Sequence, residues 1–170
     1  SWNWYSGSCG GTLVGTGNSI TVSPSTTTTY FVRAIGTCNT TGCASATVTV
    51  NTLSTAPGSI AVGTTPICNG QSTTLTVNGG SLGTGAVWRW YSGSCGGTIV
   101  GTGLSISVSP ISTTTYFVRA EGTCNTTSCA SAGVTVLQLS VAPTSITGTS
   151  TICNGQSTTL SVNGGSLGAG

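Results

Sequence analysis

Eight cysteines, Cys9, Cys38, Cys43, Cys68, Cys95, Cys124, Cys129 and Cys153, hold most of the chemistry open to this sequence. A zinc site draws on close pairs such as C-x2-C, often with His in support. Here the closest spacing is Cys38-x4-Cys43, repeated as Cys124-x4-Cys129, and the chain has no His. A disulfide framework is the better reading, and it places the chain in an oxidising compartment. The charged side chains are Arg33, Arg89, Arg119 and Glu121. A glycosidase needs two carboxyl groups, and a Ser or Cys nucleophile needs a base. Calcium sites usually include several carboxylates, and nucleic-acid binding needs clustered Lys and Arg. The composition therefore predicts no enzyme, no cofactor, no metal and no nucleic-acid partner. Gly10-Gly11 through Gly15-Thr16-Gly17 lacks the Lys of a phosphate loop and reads as a β-turn. Asn39-Thr40-Thr41 and Asn125-Thr126-Thr127 match the N-glycan acceptor pattern but read as turns between cysteines. The runs Thr26–Thr29 and Thr113–Thr115 precede strands and do not form flat threonine ranks. No apolar run of about 18 residues is present to cross a membrane.

The elements that position these residues come in copies. Trp4-Tyr5-Ser6-Gly7-Ser8-Cys9-Gly10-Gly11 returns as Trp90-Tyr91-Ser92-Gly93-Ser94-Cys95-Gly96-Gly97, and across residues 3–60 and 89–146, 45 of 58 positions are identical. Cys68 returns as Cys153 one residue early, because Val62 has no counterpart. Polar, Pro-marked joints fall at Ser54-Thr55-Ala56-Pro57 and Ser140-Val141-Ala142-Pro143. The sequence thus predicts three segments: residues 1–53 as the C-terminal part of one repeat, 54–139 as a complete repeat, and 140–170 as the N-terminal part of the next. The last residues read on into the first. That phase is expected of a two-repeat stretch of a longer array, in which no signal peptide need appear.

Within the complete copy apolar residues alternate with period two between Gly, Pro and Asn. Strands are expected at Ser59–Val62, Ser72–Asn78, Val87–Tyr91, Thr98–Val100, Ser105–Ser109, Thr115–Glu121 and Ala132–Val136. Leu75, Val77, Trp88, Trp90, Tyr116, Val118 and Ala120 fall on inward faces. No 3.6-residue period marks a helix. About seven short strands in a repeat of this length predict an all-β fold, tandem immunoglobulin-like β-sandwiches. The core tryptophan belongs on the third strand, and Val118 stands where an antibody domain carries a cysteine.

Four motifs in this order, Ile-Cys-Asn-Gly-Gln-Ser-Thr-Thr-Leu (67–75, 152–160), Trp-Tyr, Gly-Gly-Thr-x-Val-Gly-Thr-Gly (10–17, 96–103) and Thr-Thr-Thr-Tyr-Phe-Val-Arg-Ala (27–34, 113–120), span nearly the whole chain. Together they resemble the Ig-like tandem repeats of giant secreted, adhesin-type surface proteins of Bacteroidota. The resemblance implies export, a cell-surface or extracellular location, and adhesion or scaffolding. It carries over no catalytic residue.

Sandwich topology then suggests disulfide pairs. Cys38 with Cys43, and Cys124 with Cys129, would close the turn between the sixth and seventh strands. Cys68 would meet Cys95 at the opposite end, and by the same logic Cys153 of one copy would bond Cys9 of the next. The outward face of the third and sixth strands carries Arg89, Tyr91, Phe117 and Arg119, with Tyr5, Phe31 and Arg33 in the other copy. Aromatic residues beside Arg are enriched in interfaces, so this face is expected to be either a contact surface or an ordinary surface strand partly covered by its neighbours. The leading expectation is a structural stalk or filament whose partners are neighbouring copies of the same repeat. The alternative is an adhesin that grips surface glycans with the Tyr/Phe/Arg face.

Overall fold

A computed structural model describes residues 1–169; Gly170, the last residue of the third predicted segment, lies outside the described residues. The chain forms two compact units that divide between Leu53 and Ser54. No helix occurs among the described residues.

The first unit is a four-stranded antiparallel sheet. It is built from β1 (Trp2–Ser6), β2 (Thr12–Thr16), β3 (Thr28–Ala34) and β4 (Ala44–Val48) in the order β2-β1-β3-β4. Trp4 stands opposite Val32, and Tyr5 opposite Phe31. A bulge between Trp4 and Tyr5 shifts the β1–β2 register. Such bulges bend a strand and increase its twist.

The second unit contains a sandwich. Strands β8 (Val87–Ser92), β9 (Thr98–Thr102), β11 (Thr114–Glu121) and β12 (Ala130–Val134) form one sheet in the order β12-β11-β8-β9. It repeats the first unit's sheet strand for strand, down to the bulge, here between Trp90 and Tyr91. Opposite it lies the sheet β10-β7-β5, made of β5 (Ser59–Val62), β7 (Thr73–Asn78) and β10 (Ser105–Val108). A short parallel pair, β6 (Ile67–Cys68) with β13 (Val136–Leu137), bridges the edge. Alternation sends one face of each sheet into a common core of Ile60, Leu75, Val77, Trp88, Trp90, Tyr116, Val118 and Val134. Trp90, Leu75, Val118 and Val134 are fully buried. The indole of Trp90 is satisfied there, its Nε1–H donating to the Gly103 carbonyl at 2.8 Å.

Beyond this core, β14 (Ser145–Thr147) and β15 (Ser161–Asn163) form a two-stranded antiparallel pair. All but one of the described residues from 140 on are exposed.

The strand expectations hold closely. Five of the seven predicted strands match to within a residue at each end. The fourth runs two residues further, to Thr102. The seventh starts two residues early and breaks before Val136, which joins β13 instead. Strand β6 was not expected, because a two-residue parallel pair leaves no periodic trace. The all-β, Ig-like sandwich prediction is correct.

Candidate interface sites

The outer face of the β12-β11-β8-β9 sheet is built from odd-numbered positions. Arg89 lies opposite Arg119, and Tyr91 opposite Phe117. Continuing the β11–β12 ladder, in which Val118 faces Ala130, places Cys129 beside Arg119 on this same face. The β8–β9 turn curls back over it. Gly96 takes φ +82°, and a Cβ there would stand 3.3 Å from an Arg119 terminal nitrogen. A side chain at this position would be strained and crowded at once. Cys95, one residue earlier, bonds Cys129, with Cα atoms 6.0 Å apart. The first unit repeats the device: Gly10 sits over Arg33, and Cys9 bonds Cys43 with a Cα separation of 5.9 Å.

These bridges correct all four expected pairings. Cys38 does not bond Cys43, nor Cys124 bond Cys129. The tight pairing in that loop is Ile35 with Thr40, and Glu121 with Thr126. Cys38 and Cys124 therefore sit at the loop tip, while Cys43 and Cys129 have already returned to the ladder on the outer face. Cys68 does not bond Cys95, because the turn that carries Cys95 folds over the face while Cys68 stays on β6. Cys9 does not await Cys153, since Cys43 has taken it. Cys38, Cys68, Cys124 and Cys153 are free and exposed.

The turn also changes what the face offers. Tyr91 is only 3% exposed and Tyr5 6%, within the chain itself. Phe31, Arg33, Arg89, Phe117 and Arg119 are half-buried. The open Tyr/Phe/Arg patch expected from the sequence is instead partly roofed by its own Gly-rich turn. Beneath the roof, Arg119 lies 5.1 Å from the centre of the Tyr91 ring, and Arg33 5.0 Å from that of Tyr5, within cation–π range.

Glu121 organises the charges of the second unit. Arg119 Nε donates to Glu121 Oε1 at 2.7 Å, and the Tyr91 hydroxyl donates to the same oxygen. Arg89 Nε lies 3.0 Å from Oε2 in an ionic contact without an aligned hydrogen bond. The Tyr91 hydrogen bond, with help from both arginines, holds the Glu121 carboxyl below the ordinary carboxylate value. Burial, together with the same carboxylate, raises the Tyr91 phenol. In the first unit Ile35 replaces Glu121 and Asn3 replaces Arg89, and the buried Arg33 Nε has no hydrogen-bond partner. Both Arg33 and Arg119 thus lie against an aromatic ring of their own face. Sequence reasoning missed Glu121 as a partner of the arginines, although it sits two positions from Arg119 on the same face of β11, a spacing that could have identified it.

A second site is the inner face of the β2-β1-β3-β4 sheet. Trp2 is 48% exposed, whereas its counterpart Trp88 is 5% exposed. Trp4 and Val32 are half-buried where Trp90 and Val118 are fully buried. Trp2, Trp4, Asn18 and Val32 line one shallow groove; Trp4, Tyr30, Val32 and Ala44–Ala46 line another. The segment around β15 shows the converse: Leu160, just before the strand, is 64% and Val162, within it, 72% exposed. Their counterparts Leu75 and Val77 are core residues of the sandwich.

No cluster of three His, Cys, Asp or Glu side chains suited to a metal occurs among the described residues. Among the described residues no helix is long and apolar enough to cross a membrane. No curated protein matches the chain. The profile of the Ig-like domain, CHU_C associated, matches twice, over residues 1–53 and 55–143. With most of its length covered by those two matches and a matching sandwich in its structure, the chain belongs to this Ig-like domain family.

Proposed function

We propose that this chain is a structural component of an extracellular array of Ig-like repeats, a surface stalk or filament joined head to tail. The observation that carries the reading is complementarity between two incomplete parts. The sheet of residues 1–53 exposes Trp2 on the face where the complete repeat buries Trp88. The segment from residue 140 on exposes Leu160 and Val162, whose counterparts Leu75 and Val77 cover that face. The segment of one copy, with its counterparts of β5 and β7, completes the sheet of another, as β5 and β7 cover β8 and β11; the counterpart of β10, Ser19–Val22, already lies in the first unit. A contact of this heterologous kind, when it does not close into a ring, extends without limit. The disulfides support an oxidising, extracytoplasmic location, and near-zero charge favours association. Segment boundaries at 53/54 and 139/140 follow from the same reading.

Electron microscopy of the purified chain tests it: fibres or thin stalks are expected. Val162→Arg places a charge in the completed core and should abolish them while leaving the 54–139 sandwich folded. Dispersed particles from the unmodified chain would refute the array. Adhesion through the outer face is the weaker reading, because Tyr5 and Tyr91 lie under their own turns.

A further inference from the structure

The four free thiols are not scattered. Cys68 lies on β6, paired with Leu137, and the next residue clasps the end of the repeat. Asn69 donates its backbone N–H to the Leu137 carbonyl at 2.9 Å and its side-chain amide to Gln138 Oε1 at 3.3 Å. Cys68 therefore stands where the chain leaves the repeat. Cys124 stands where it enters. Its neighbour Asn125 accepts from the Ser54 N–H at 3.0 Å and donates to the Ser54 carbonyl at 2.9 Å. The exit of one repeat is covalently the entry of the next, so an array brings one thiol of each kind to every joint. Cys153 is the counterpart of Cys68, and Cys38 of Cys124.

We propose that these thiols form a longitudinal series of disulfides across the joints, Cys68 of one copy with Cys38 of another, and Cys153 of one copy with Cys124 of another. The inference rests on the head-to-tail reading above. It accounts for every cysteine: per repeat, one pair pins the turn over the outer face and the other two thiols tie the repeat to its neighbours. It also explains why four exposed thiols persist in a chain that already holds two disulfides. Formation of each bond removes two protons and two electrons from two thiols. A protein or small-molecule disulfide oxidant accepts them by exchange: one thiolate forms a mixed disulfide with it, and the second displaces the reduced oxidant. The same class of reagent must form Cys9–Cys43 and Cys95–Cys129.

The test uses assembled, unreduced fibres. Thiols are titrated after denaturation, and peptides are mapped by mass spectrometry with free thiols blocked. The expected result is almost no free thiol, with peptides joining Cys68 to Cys38 and Cys153 to Cys124. Cys68→Ser combined with Cys153→Ser should still yield fibres while releasing Cys38 and Cys124, about two thiols per chain. About four free thiols per chain in intact fibres, or like-with-like pairs such as Cys68 to Cys68, would overturn the pairing and leave the array standing. Absence of fibres from every variant would instead overturn the array, and the pairing with it.

Discussion

The same four-stranded sheet occurs twice in this chain, and among the described residues only the second copy has a partner sheet. Registers, bulges and covering turns agree between β2-β1-β3-β4 and β9-β8-β11-β12. The inner faces do not. Trp90 is sealed from solvent and Trp4 is half-buried, although both indoles donate to equivalent glycine carbonyls, Gly103 at 2.8 Å and Gly17 at 2.9 Å. The comparison separates what neighbouring strands supply from what the opposite sheet supplies. Hairpins, cross-strand ladders and the turn disulfide arise within one sheet. Burial does not. Even strand formation can depend on the missing sheet: Ser105-Ile106-Ser107-Val108 is a strand paired with β7, while the matching Ser19-Ile20-Thr21-Val22 forms none. Likewise Ile67-Cys68 pairs with β13, while Ile152-Cys153 stays irregular.

The largest effect should come from the tryptophans. Removing a fully buried aromatic leaves a cavity and costs about 3–5 kcal/mol. Trp90→Ala should therefore destabilise the 54–139 repeat by about that much in urea unfolding of the dispersed chain. Trp4→Ala, at an open face, should cost about 1 kcal/mol or less. In assembled fibres the Trp4→Ala penalty should rise toward that of Trp90→Ala, because a neighbour then covers the indole. Equal penalties in dispersed chain and fibre would break the comparison.

Next in size are the turn disulfides. Each closes a loop with a sequence separation of 34, for which chain entropy gives about 3–4 kcal/mol and measured values run about 2–4 kcal/mol. Cys129→Ser should lower the stability of the second unit by about 2–4 kcal/mol and free the turn to lift from Tyr91. Acrylamide quenching or hydroxyl-radical labelling of Tyr91 reads the second effect. Cys43→Ser should do the same at Tyr5. Unchanged Tyr91 protection would mean that glycine packing alone holds the turn.

Much of this architecture was legible in residue alternation. Trp88, Trp90, Tyr116, Val118 and Ala120 occupy the inward positions that period two assigns them, and most strand ends fall within a residue or two. The disulfides were not legible, for a definite reason. Sequence spacing places Cys95 at one end of the sandwich and Cys129 at the other, and only the fold-back of Gly93–Gly97 across the sheet joins them. A usable signal was present: extending the β3–β4 and β11–β12 ladders sets Cys43 opposite Arg33, and Cys129 opposite Arg119, on the outer face. The roofing of Tyr5 and Tyr91 was missed together with the bridge, since one movement of the turn produces both.

The smallest effect concerns the one acidic side chain. Glu121 is held below its ordinary pKa by the Tyr91 hydrogen bond and the arginines, so the folded state favours the carboxylate. Its contribution is fully present above the unfolded carboxyl value, near 4.3, and is lost as pH falls through the lower folded value. Tyr91 runs the other way: burial raises its pKa, so its contribution is present below about pH 10 and lost as pH rises through the folded value. The cluster is partly exposed, which limits it to about 1 kcal/mol. Glu121→Gln should therefore destabilise the second unit by about 1 kcal/mol at pH 7, and the difference from the unmodified chain should shrink as pH falls below the ordinary carboxyl range. The reciprocal change sharpens the contrast between the copies. Ile35→Glu offers the unpartnered Arg33 Nε a carboxylate where the second copy has Glu121. It should stabilise the first unit by up to about 1 kcal/mol at neutral pH and confer the acid sensitivity that this outer face lacks. A stability gain that survives at pH 2 would show that the introduced side chain acts through packing or solubility, and that charge pairing on this face is not what distinguishes the copies.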